Sequence, residues 1–273
     1  MKSDLPKISV ITVSLKSVET IEATIKSVLN QTYNHLEYLV IDGGSKDGTV
    51  ELLEKYTGVG KLRFISEEDN GIYDAMNKGI KMAVGEWIFF IGSDDTLSSI
   101  DIIERVFSED FGNAEIVYGN VLLLHSGLIY DGPFDHEKIS QHNICHQGMF
   151  IKKSLYERLG GFNTKYLVAA DYEFNIKWMG MGVPAVYINE TIAVYNEKGF
   201  SFHMWDKNFH DDRDAMLIEN NIVSKRSFDY LKQKAHQLSN SKRYKLGDKI
   251  VSPIAKIAAL LKGSMFSKRK KSK

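Results

Sequence analysis

Four strand-like runs that alternate with helix-like segments constrain the fold of this chain more than any other feature. The runs are apolar and rich in β-branched residues, and the segments between them repeat apolar residues at helical spacing. Such an alternation with short connections is typical of a parallel sheet that carries helices on both faces. The predicted strands are 7–15, 36–41, 62–66 and 86–91, and the predicted helices are 18–29, 50–56 and 72–84.

The fourth predicted strand ends in two adjacent carboxylates, Asp94 and Asp95. Two acids at the end of a buried strand are costly to bring together unless a cation or hydrogen-bond donors neutralise them. In an open parallel sheet the carboxyl ends of the strands are also where ligands bind. Asp is equally a good helix N-cap, and a helical pattern begins near Ser99. This strand alone therefore leaves a metal or ligand site and a helix start as alternatives.

The pattern from Ala114 onward is less regular but continues as part of the same fold. We predict a single domain over 1–240, with a first half at about 1–112 and a second half at about 113–240, followed by a tail at 241–273. Gly160 is expected to cap a helix at its C-terminus. The second half is predicted to contain strands at 115–124, 128–130 and 147–151, helices at 154–159 and 172–179, and a pair of strands at 185–195.

Composition indicates a cytoplasmic protein. A hydrophobic content of 43% and a charged content of 26% are ordinary for soluble globular proteins. The sequence has no apolar run long enough for a membrane-spanning helix, and its start shows no signal peptide. The single cysteine, Cys145, excludes an internal disulfide and fits a reducing compartment.

Charge is distributed unevenly between the body and the tail. Residues 241–273 hold eleven Lys or Arg and one acid, although the whole chain has 35 of each sign. The preceding residues are therefore acidic, which argues against nucleic acid as a partner. Within the tail, apolar residues recur at helical spacing, at Ile250, Ile254, Ile257, Leu261 and Met265. Residues 249–273 could lie on an anionic membrane surface, which would make the protein peripheral on the cytoplasmic face of the inner membrane, or pack against the acidic body.

Two familiar nucleotide-binding motifs are absent. A dinucleotide-binding domain needs glycines just after the first strand, but residues 14–18 read Ser-Leu-Lys-Ser-Val. The segment Gly43-Gly44-Ser45-Lys46 lacks the spacing of a P-loop. The sequence therefore excludes a dinucleotide-binding domain and a P-loop.

Six motifs in order over Ile8 to Phe202 resemble the family 2 glycosyltransferases, which have the GT-A fold. They are ISVIT, IDGGSKDGT, DNGIYDAMNKGI, WIFFIGSDD, GGF and AADYEF. The resemblance implies an α/β, GT-A-like fold with a mainly parallel central sheet, helices on both faces and a C-terminal amphipathic helical tail. It also implies an inverting transfer of a sugar from a nucleotide-sugar donor, with a nucleotide-binding first half and an acceptor-binding second half.

The resemblance assigns a metal ligand and several donor contacts. Asp95 matches the family's ligand for Mn²⁺ or Mg²⁺, the hard cations that carboxylates and phosphates hold. Asp42 matches the residue that accepts a hydrogen bond from the base, although an Asp here could instead support its own turn. Gly92 departs from the family, because many members carry a further Asp there. The nucleotide-sugar contacts implied are Thr12, Ser14, Asp42, Asp69, Asn70, Gly71, Asn77 and Asp94.

Alternatives remain for some of these residues. Residues 69–71 could form a plain type I′-like turn. Asn77 and Lys78 lie on a predicted helix, where a solvated face is the simpler interpretation, although Lys78 could pair with a phosphate.

On the acceptor side, Asp171 matches the family's general base. A carboxylate in a partly desolvated pocket, with its pKa somewhat raised, could take the proton of the attacking hydroxyl. The alternative is an N-cap for the following helix. Ala170 departs from the acidic residue that the family usually has before the base. Acceptor or diphosphate contacts are expected from His146, Gln147 and His203.

Two further features have simpler explanations. A zinc site at His142, Cys145 and His146 is not predicted, because the sequence offers no fourth ligand nearby. Trp178 and Trp205 could stack on sugar rings, with Trp178 better explained as a core residue.

The leading hypothesis is a glycosyltransferase that acts on a growing envelope or exopolysaccharide glycan, including a lipid-linked one, with a UDP-sugar as donor. A catalytically silent nucleotide-sugar-binding or scaffold protein on the same fold is the alternative, for which Gly92 and Ala170 are the support. A nucleotidyltransferase should carry a glycine-rich, basic loop after its first strand, and that loop is missing.

Overall fold

A computed structural model describes residues 5–57, 61–199 and 204–240. Strands and helices alternate through β4 as the sequence predicts. The strands are β1 (Ile8–Ser14), β2 (Leu36–Asp42), β3 (Leu62–Ser66), β4 (Trp87–Phe90), β5 (Thr96–Leu97), β6 (Ile116–Leu123), β7 (Ile129–Tyr130), β8 (Met149–Lys152) and β9 (Ala185–Tyr195). The helices are α1 (Ile21–Leu29), α2 (Thr49–Thr57), α3 (Ile72–Met82), α4 (Ile102–Val106), α5 (His136–Ile139), α6 (Lys153–Leu159), α7 (Ala170–Gly180), α8 (Lys207–Glu219) and α9 (Lys225–Asn240).

The described strands form one mixed sheet in the order β3-β2-β1-β4-β8-β6-β9-β5, with β7 paired to β6. The first four strands of this order are mutually parallel, as predicted, and β6 and β9 are also parallel. The remaining pairs are antiparallel. The sheet therefore contains strands from both predicted halves of the chain.

Both faces of the parallel strands are buried, because alternate residues enter two separate cores. Ile11 and Leu39 pack with Ile80 of α3 and Phe174 of α7 on one face. Their neighbours Val10 and Tyr38 pack with residues of α1, α2 and α4 on the other. This two-sided burial explains why the strands are continuous apolar runs in the sequence.

Register aligns the ends of three strands at one edge of the sheet. Ser14 at the end of β1 lies opposite Asp42 of β2, and Asp42 lies opposite Ser66 of β3. In a parallel sheet these ends share an edge, and β4 ends at the same edge. The sheet therefore places the polar residues that follow β1, β2 and β4 near one another.

The predicted pair of strands at 185–195 is wrong, since Ala185–Tyr195 is one strand, β9. Its pairing with β6 shifts register between Tyr118 and Val121. Such irregularities let a strand continue through a polar stretch that reads as a turn in the sequence. The glycine cap is confirmed, because Gly160 ends α6 in the left-handed conformation at φ +82°.

No helix among the described residues combines the length and the apolar character needed to cross a bilayer. The tail at 241–273, with the membrane contact predicted for 249–273, lies outside the described residues, and so does His203.

Candidate active site

Two adjoining cavities open at the carboxyl edge of the sheet. The first, of about 300 Å³, is lined by Asp94 and Asp95. The second, of about 270 Å³, is lined by Asp171. Both are lined by Ile72, His146, Gln147 and Tyr195. The two groups of acids that the sequence singled out therefore lie in neighbouring cavities with a common wall.

Asp95 is almost completely enclosed, with 1% of its surface exposed. Its Oδ1 accepts a hydrogen bond from the backbone N–H of Asn196 at 2.8 Å, and its Oδ2 accepts one from Nε2 of Gln147 at 2.8 Å. Burial raises the pKa of Asp95 to about 6, and the neighbouring charge of Asp94 acts in the same direction. The two hydrogen bonds therefore offset only part of the cost of burying this carboxylate.

Asp94 is half-buried and accepts a hydrogen bond from Nδ2 of Asn196 at 3.2 Å. Burial raises its pKa as well. Two glycines leave room for these acids. A Cβ at Gly92 would lie 2.5 Å from Oδ2 of Asp95, and a Cβ at Gly199 would lie 2.9 Å from Oδ2 of Asp94. The departure at Gly92 therefore has a steric reason, because a side chain there would displace the carboxylate of Asp95.

The acid pair suits a divalent cation that is shared with a ligand. The described part of the chain holds no cluster of three or more His, Cys, Asp or Glu that could enclose a metal. Mg²⁺ and similar ions, however, are commonly held by one or two carboxylates together with substrate phosphates and water. Two adjacent acids with raised pKa values are an incompletely compensated negative site, so Asp94 and Asp95 fit such an ion.

Asp171 lies in the first turn of α7, one residue after the start of the helix. The N-cap is Ala169, so the alternative of an N-cap role for Asp171 does not hold. Its Oδ1 accepts a hydrogen bond from Oη of Tyr73 at 2.8 Å. Its Oδ2 accepts one from Nδ2 of Asn143 at 2.8 Å and lies 3.3 Å from Nδ1 of His146.

These contacts reverse the expected pKa shift of Asp171. Burial acts to raise the pKa, but the interactions with His146 and the hydrogen bonds from Tyr73 and Asn143 outweigh burial, and the pKa is lowered. The expectation of a raised pKa is wrong because the sequence does not reveal these donors. Asp171 is therefore ionised at neutral pH and ready to accept a proton.

A chain of side chains fixes the direction of the Asn143 hydrogen bond. Nε1 of Trp178 donates to Oδ1 of Asn175 at 2.8 Å, and Nδ2 of Asn175 donates to Oδ1 of Asn143 at 2.9 Å. An indole N–H can only donate, so it determines which end of each amide faces which way. Nδ2 of Asn143 is therefore the end that faces Asp171.

One dipeptide connects the two acidic centres. His146 contacts Asp171, and the next residue, Gln147, donates to Asp95. Both lie in a 3₁₀ turn, His146–Gly148, just before β8. His146 and Gln147, the expected acceptor or diphosphate contacts, therefore lie in the common wall of the two cavities.

Besides Asp94, three of the expected donor contacts, Ser14, Asp69 and Gly71, line the first cavity. Ser14 exchanges a hydrogen bond with Ser17 at 2.6 Å, and Asp69 accepts one from the backbone N–H of Gly71 at 2.9 Å. Gly71, at φ +108° and ψ 173°, is the N-cap of α3 and does not have the angles of a type I′ turn. Asn70 is exposed, and its backbone N–H bonds to Asp74.

Thr12 and Asp42 lie deeper. Thr12 is buried within β1 and shares a hydrogen bond with Oη of Tyr38 at 3.0 Å. Asp42 is buried and accepts from the backbone N–H groups of Gly44 and Ser45 and from the hydroxyls of Ser45 and Ser66. These hydrogen bonds favour turn support as the role of Asp42.

Asn77 and Lys78 are engaged with the protein itself. The amide of Asn77 donates to the carbonyl of Phe162 and accepts from its N–H, both at 2.8 Å. Lys78 pairs with Glu67 at 3.0 Å and Asp74 at 3.6 Å. The expected donor contact of Asn77 is therefore corrected, because both ends of the amide hold α3 against the Gly161-Phe162 segment.

Sequence reasoning missed Tyr73, Asn143 and Asn196. Tyr73 lies inside the motif DNGIYDAMNKGI, and this position was the signal that could have pointed to it. Asn143 lies three residues before His146 and outside the six motifs. Asn196 follows β9 and reaches Asp94 and Asp95 only through the pairing of β9 with β5 and β6. That contact between distant segments leaves no local pattern.

Comparison with known proteins identifies the relatives of this chain. Residues 9–127 match the model of the family described as glycosyl transferase family 2. A PGL/p-HBAD biosynthesis glycosyltransferase of Mycobacterium bovis is 33% identical over 75% of this chain and 82% of its own length. Escherichia coli chondroitin synthase is 28% identical over 68% of this chain, which corresponds to 28% of the synthase.

Solved structures show the same fold. Staphylococcus aureus TarS 1–349, in complex with UDP, has a TM-score of 0.64 at 16% identity and covers 90% of this chain and 75% of its own. The mannosyltransferase PcManGT of Pyrobaculum calidifontis, in complex with GDP-Man and Mn²⁺, has a TM-score of 0.60 at 18% identity and covers 96% and 88%. The GT-A-like α/β fold expected from the motifs is confirmed. The length and identity of the mycobacterial match show that this chain belongs to the family 2 glycosyltransferases.

Proposed function

We propose that the enzyme transfers a sugar, with inversion, from a UDP-sugar to a hydroxyl of a growing envelope or exopolysaccharide glycan. One observation carries this proposal: the cavity with Asp94 and Asp95 adjoins the cavity with Asp171, and His146 and Gln147 form part of the common wall. A transferase needs a place for a charged leaving group beside a place for a base, and this arrangement supplies both.

The first cavity would hold the donor. The turn that Asp42 supports lies against it, because a Cβ at Gly43 would meet Asp69 and Leu15, two residues of its lining. We therefore propose that Asp42 shapes this turn, and that the turn forms part of the binding site for the base of the nucleotide. Solved neighbours bind UDP, UDP-GlcNAc or GDP-Man, which supports a nucleotide-sugar donor.

Asp94 and Asp95 would hold Mn²⁺ or Mg²⁺ together with the diphosphate. When bound, the ion supplies positive charge that stabilises the diphosphate as it leaves. The Mn²⁺ in the PcManGT complex supports this choice. The protein's own part is to hold two carboxylates close together, with Asn196 bonded to both.

Asp171 would act as the general base. An acceptor hydroxyl in the second cavity gives its proton to Asp171, and its oxygen bonds to the anomeric carbon from the face opposite the diphosphate. The diphosphate leaves with the electrons of the broken bond. The lowered pKa of Asp171 keeps it ionised, and its hydrogen bonds to Tyr73 and Asn143 fix its orientation.

A lipid-linked acceptor would give the basic tail a purpose. Residues 249–273 combine an apolar stripe with lysines, a pattern that favours an anionic membrane surface. We propose that the tail brings the enzyme to the cytoplasmic face of the inner membrane, where such an acceptor is presented. Vesicle sedimentation with and without anionic lipid, for the full chain and a chain ending at 240, tests this; equal binding by both chains contradicts it.

The test of the catalytic proposal compares the wild type with Asp95→Ala and Asp171→Asn in transfer and hydrolysis of UDP-sugars with Mn²⁺. Asp171→Asn should lower kcat by roughly 10²–10⁴-fold and leave calorimetric binding of UDP intact. Asp95→Ala should lose both turnover and the binding of UDP. Asp211→Asn is the matched control, because Asp211 is an exposed acid paired with Lys207 on α8. Donor binding without turnover by the wild type, with any acceptor mixture, would favour the silent scaffold instead.

A further inference from the structure

One tryptophan of this chain is exposed. Trp205 has 60% of its surface exposed, whereas Trp87 and Trp178 have 4% and 3%. Its ring stacks on that of His210, with 3.5 Å between ring centroids and 6° between planes. Burial and the charge of Arg213 lower the pKa of His210, so the imidazole is neutral at pH 7. The pair is a flat, uncharged aromatic surface.

Two contacts hold this pair next to the residues around Asp171. Asp206, which follows Trp205, accepts a hydrogen bond at 2.9 Å from the backbone N–H of Val168, a residue of the second cavity. Phe209, which precedes His210, stacks on Tyr172 with centroids 4.9 Å apart, and Tyr172 follows Asp171 in α7. The residues next to Trp205 and His210 in the chain therefore contact Val168, which lines the second cavity, and Tyr172, which follows Asp171.

The surroundings select the kind of ligand. Leu167, which lines the first cavity, and Met204 are also exposed apolar residues. Single exposed apolar side chains need no explanation, but Leu167 precedes Val168 and Met204 precedes Trp205, so these exposed residues flank the contact between Val168 and Asp206. Residues 206–214 contain four acids and two cations, which disfavours an anionic lipid surface at this place. The C–H face of a pyranose ring is neutral and matches a flat indole.

We propose that Trp205, supported from behind by His210, binds the sugar unit that precedes the reacting unit of the acceptor glycan. The second cavity, at about 270 Å³, has room for the reacting ring, so the preceding ring must lie at its rim. This inference rests on the proposed transfer reaction and adds a second acceptor subsite to it.

A kinetic test uses acceptors that differ by one ring. Methyl glycosides of glucose and cellobiose, and of N-acetylglucosamine and chitobiose, are compared at saturating donor. Trp205→Ala should raise KM for the disaccharide of the accepted pair roughly three- to tenfold, as expected for loss of one aromatic stacking contact. KM for the monosaccharide should stay within about twofold. KM for the disaccharide should be intermediate in Trp205→Phe, a variant that keeps an aromatic ring and so controls for a folding defect.

The control is Tyr230→Ala, which removes an aromatic residue of α9 with a similar exposure, 55%. An equal effect of Trp205→Ala on both acceptors would overturn the inference, while transfer itself would still support the proposed function. Absence of transfer and of donor hydrolysis in the wild type would instead contradict the proposed function.

A binding test needs no turnover. Because Trp87 and Trp178 are buried, quenching of tryptophan fluorescence by acrylamide reports mainly on Trp205. The disaccharide that the enzyme accepts should protect the fluorescence of the wild type, and Trp205→Phe should lose this protection. Protection by an alkyl chain such as octyl glucoside, without protection by the disaccharide, would overturn the inference in favour of an apolar aglycone.

Discussion

Replacement of Asn143 by leucine should move the acid limb of the pH–rate profile upward. Leucine has nearly the shape of asparagine but cannot donate to Oδ2 of Asp171, which then keeps Tyr73 on Oδ1 and His146 at 3.3 Å. The ionised form of Asp171 loses stabilisation, while the protonated form loses little. The pKa of Asp171, the proposed base, therefore rises toward its ordinary value.

The size of the shift follows from the lost hydrogen bond. A hydrogen bond to a charged group contributes about 1.5–3 kcal/mol, and one pKa unit corresponds to about 1.4 kcal/mol. The limb should move by about one to two pH units, toward the lower end if water replaces the amide. The loss of stability is limited, because Nδ2 of Asn175 still faces the carbonyl of Ile144 at 3.3 Å.

The tyrosines and the cysteine around Asp171 do not produce this shift. Burial raises the pKa values of Tyr73, Tyr130, Tyr156, Tyr172 and Cys145, so all five stay neutral across the acid limb. His146 contacts Asp171 directly and stays in place in the variant.

The assay measures kcat/KM for the acceptor from about pH 3 to pH 7, the range that contains the acid limb of a carboxyl with an ordinary or lowered pKa. Saturating donor and Mn²⁺ keep Asp95 out of the titration. Asn113→Leu, at an exposed loop position, is the control and should leave the limb in place. Trp178→Phe should shift it less than Asn143→Leu, because it frees the amides to reorient without removing the donor. A limb that stays within about 0.3 pH unit of the wild type, with a folded variant, would refute the reasoning.

Three further changes probe the site. Asp95→Asn should abolish turnover yet stabilise the metal-free protein by at most about 3 kcal/mol above pH 6. The reason is that the raised pKa of Asp95 makes the wild type lose stability as the pH rises from about 4 to 6. Urea unfolding in EDTA from pH 4 to 8 checks this. Asn77→Ala should lower the free energy of unfolding by about 2–3 kcal/mol, because it leaves both backbone groups of Phe162 without their partner. It should not change the Kd for UDP of the folded protein, and a higher Kd would show that Asn77 contacts the nucleotide-sugar after all. Gly92→Ala should weaken binding of UDP with Mn²⁺ roughly five- to 160-fold, since its Cβ would displace Asp95 at a cost of about 1–3 kcal/mol. Unchanged calorimetric binding would show that Asp95 can move freely.

The first half of the fold could be predicted because its strands are buried on both faces. Trp87–Phe90 is a continuous apolar run, and Leu36–Asp42 is apolar except for Glu37 and the final Asp42; such runs are visible in a single sequence. The single strand Ala185–Tyr195 could not be predicted, because most of its residues are only partly buried and its pairing with β6 is irregular.

The acids of the candidate site could be predicted, but their partners could not. Asp94, Asp95 and Asp171 stand in recognisable motifs at the ends of strands or the start of a helix. Their hydrogen-bond donors come from segments that are far away in sequence, as with Asn196 and Asp95 or Tyr73 and Asp171. The direction of the Asp171 pKa depends on those donors, and the sequence therefore gave the wrong sign for the shift.

The adjacency of His146 and Gln147 limits the distance between Asp171 and Asp95. Consecutive Cα atoms are about 3.8 Å apart, and each of these two side chains contacts one of the acids, so a short piece of chain, rather than a hinge between two lobes, links the proposed base to the acid pair. Small-angle scattering of the enzyme with and without UDP and Mn²⁺ should accordingly give the same radius of gyration. Alignment of the two substrates would then depend on how each fills its own cavity. Activity should therefore tolerate a new acceptor more easily than any change in the length of the His146–Gly148 turn.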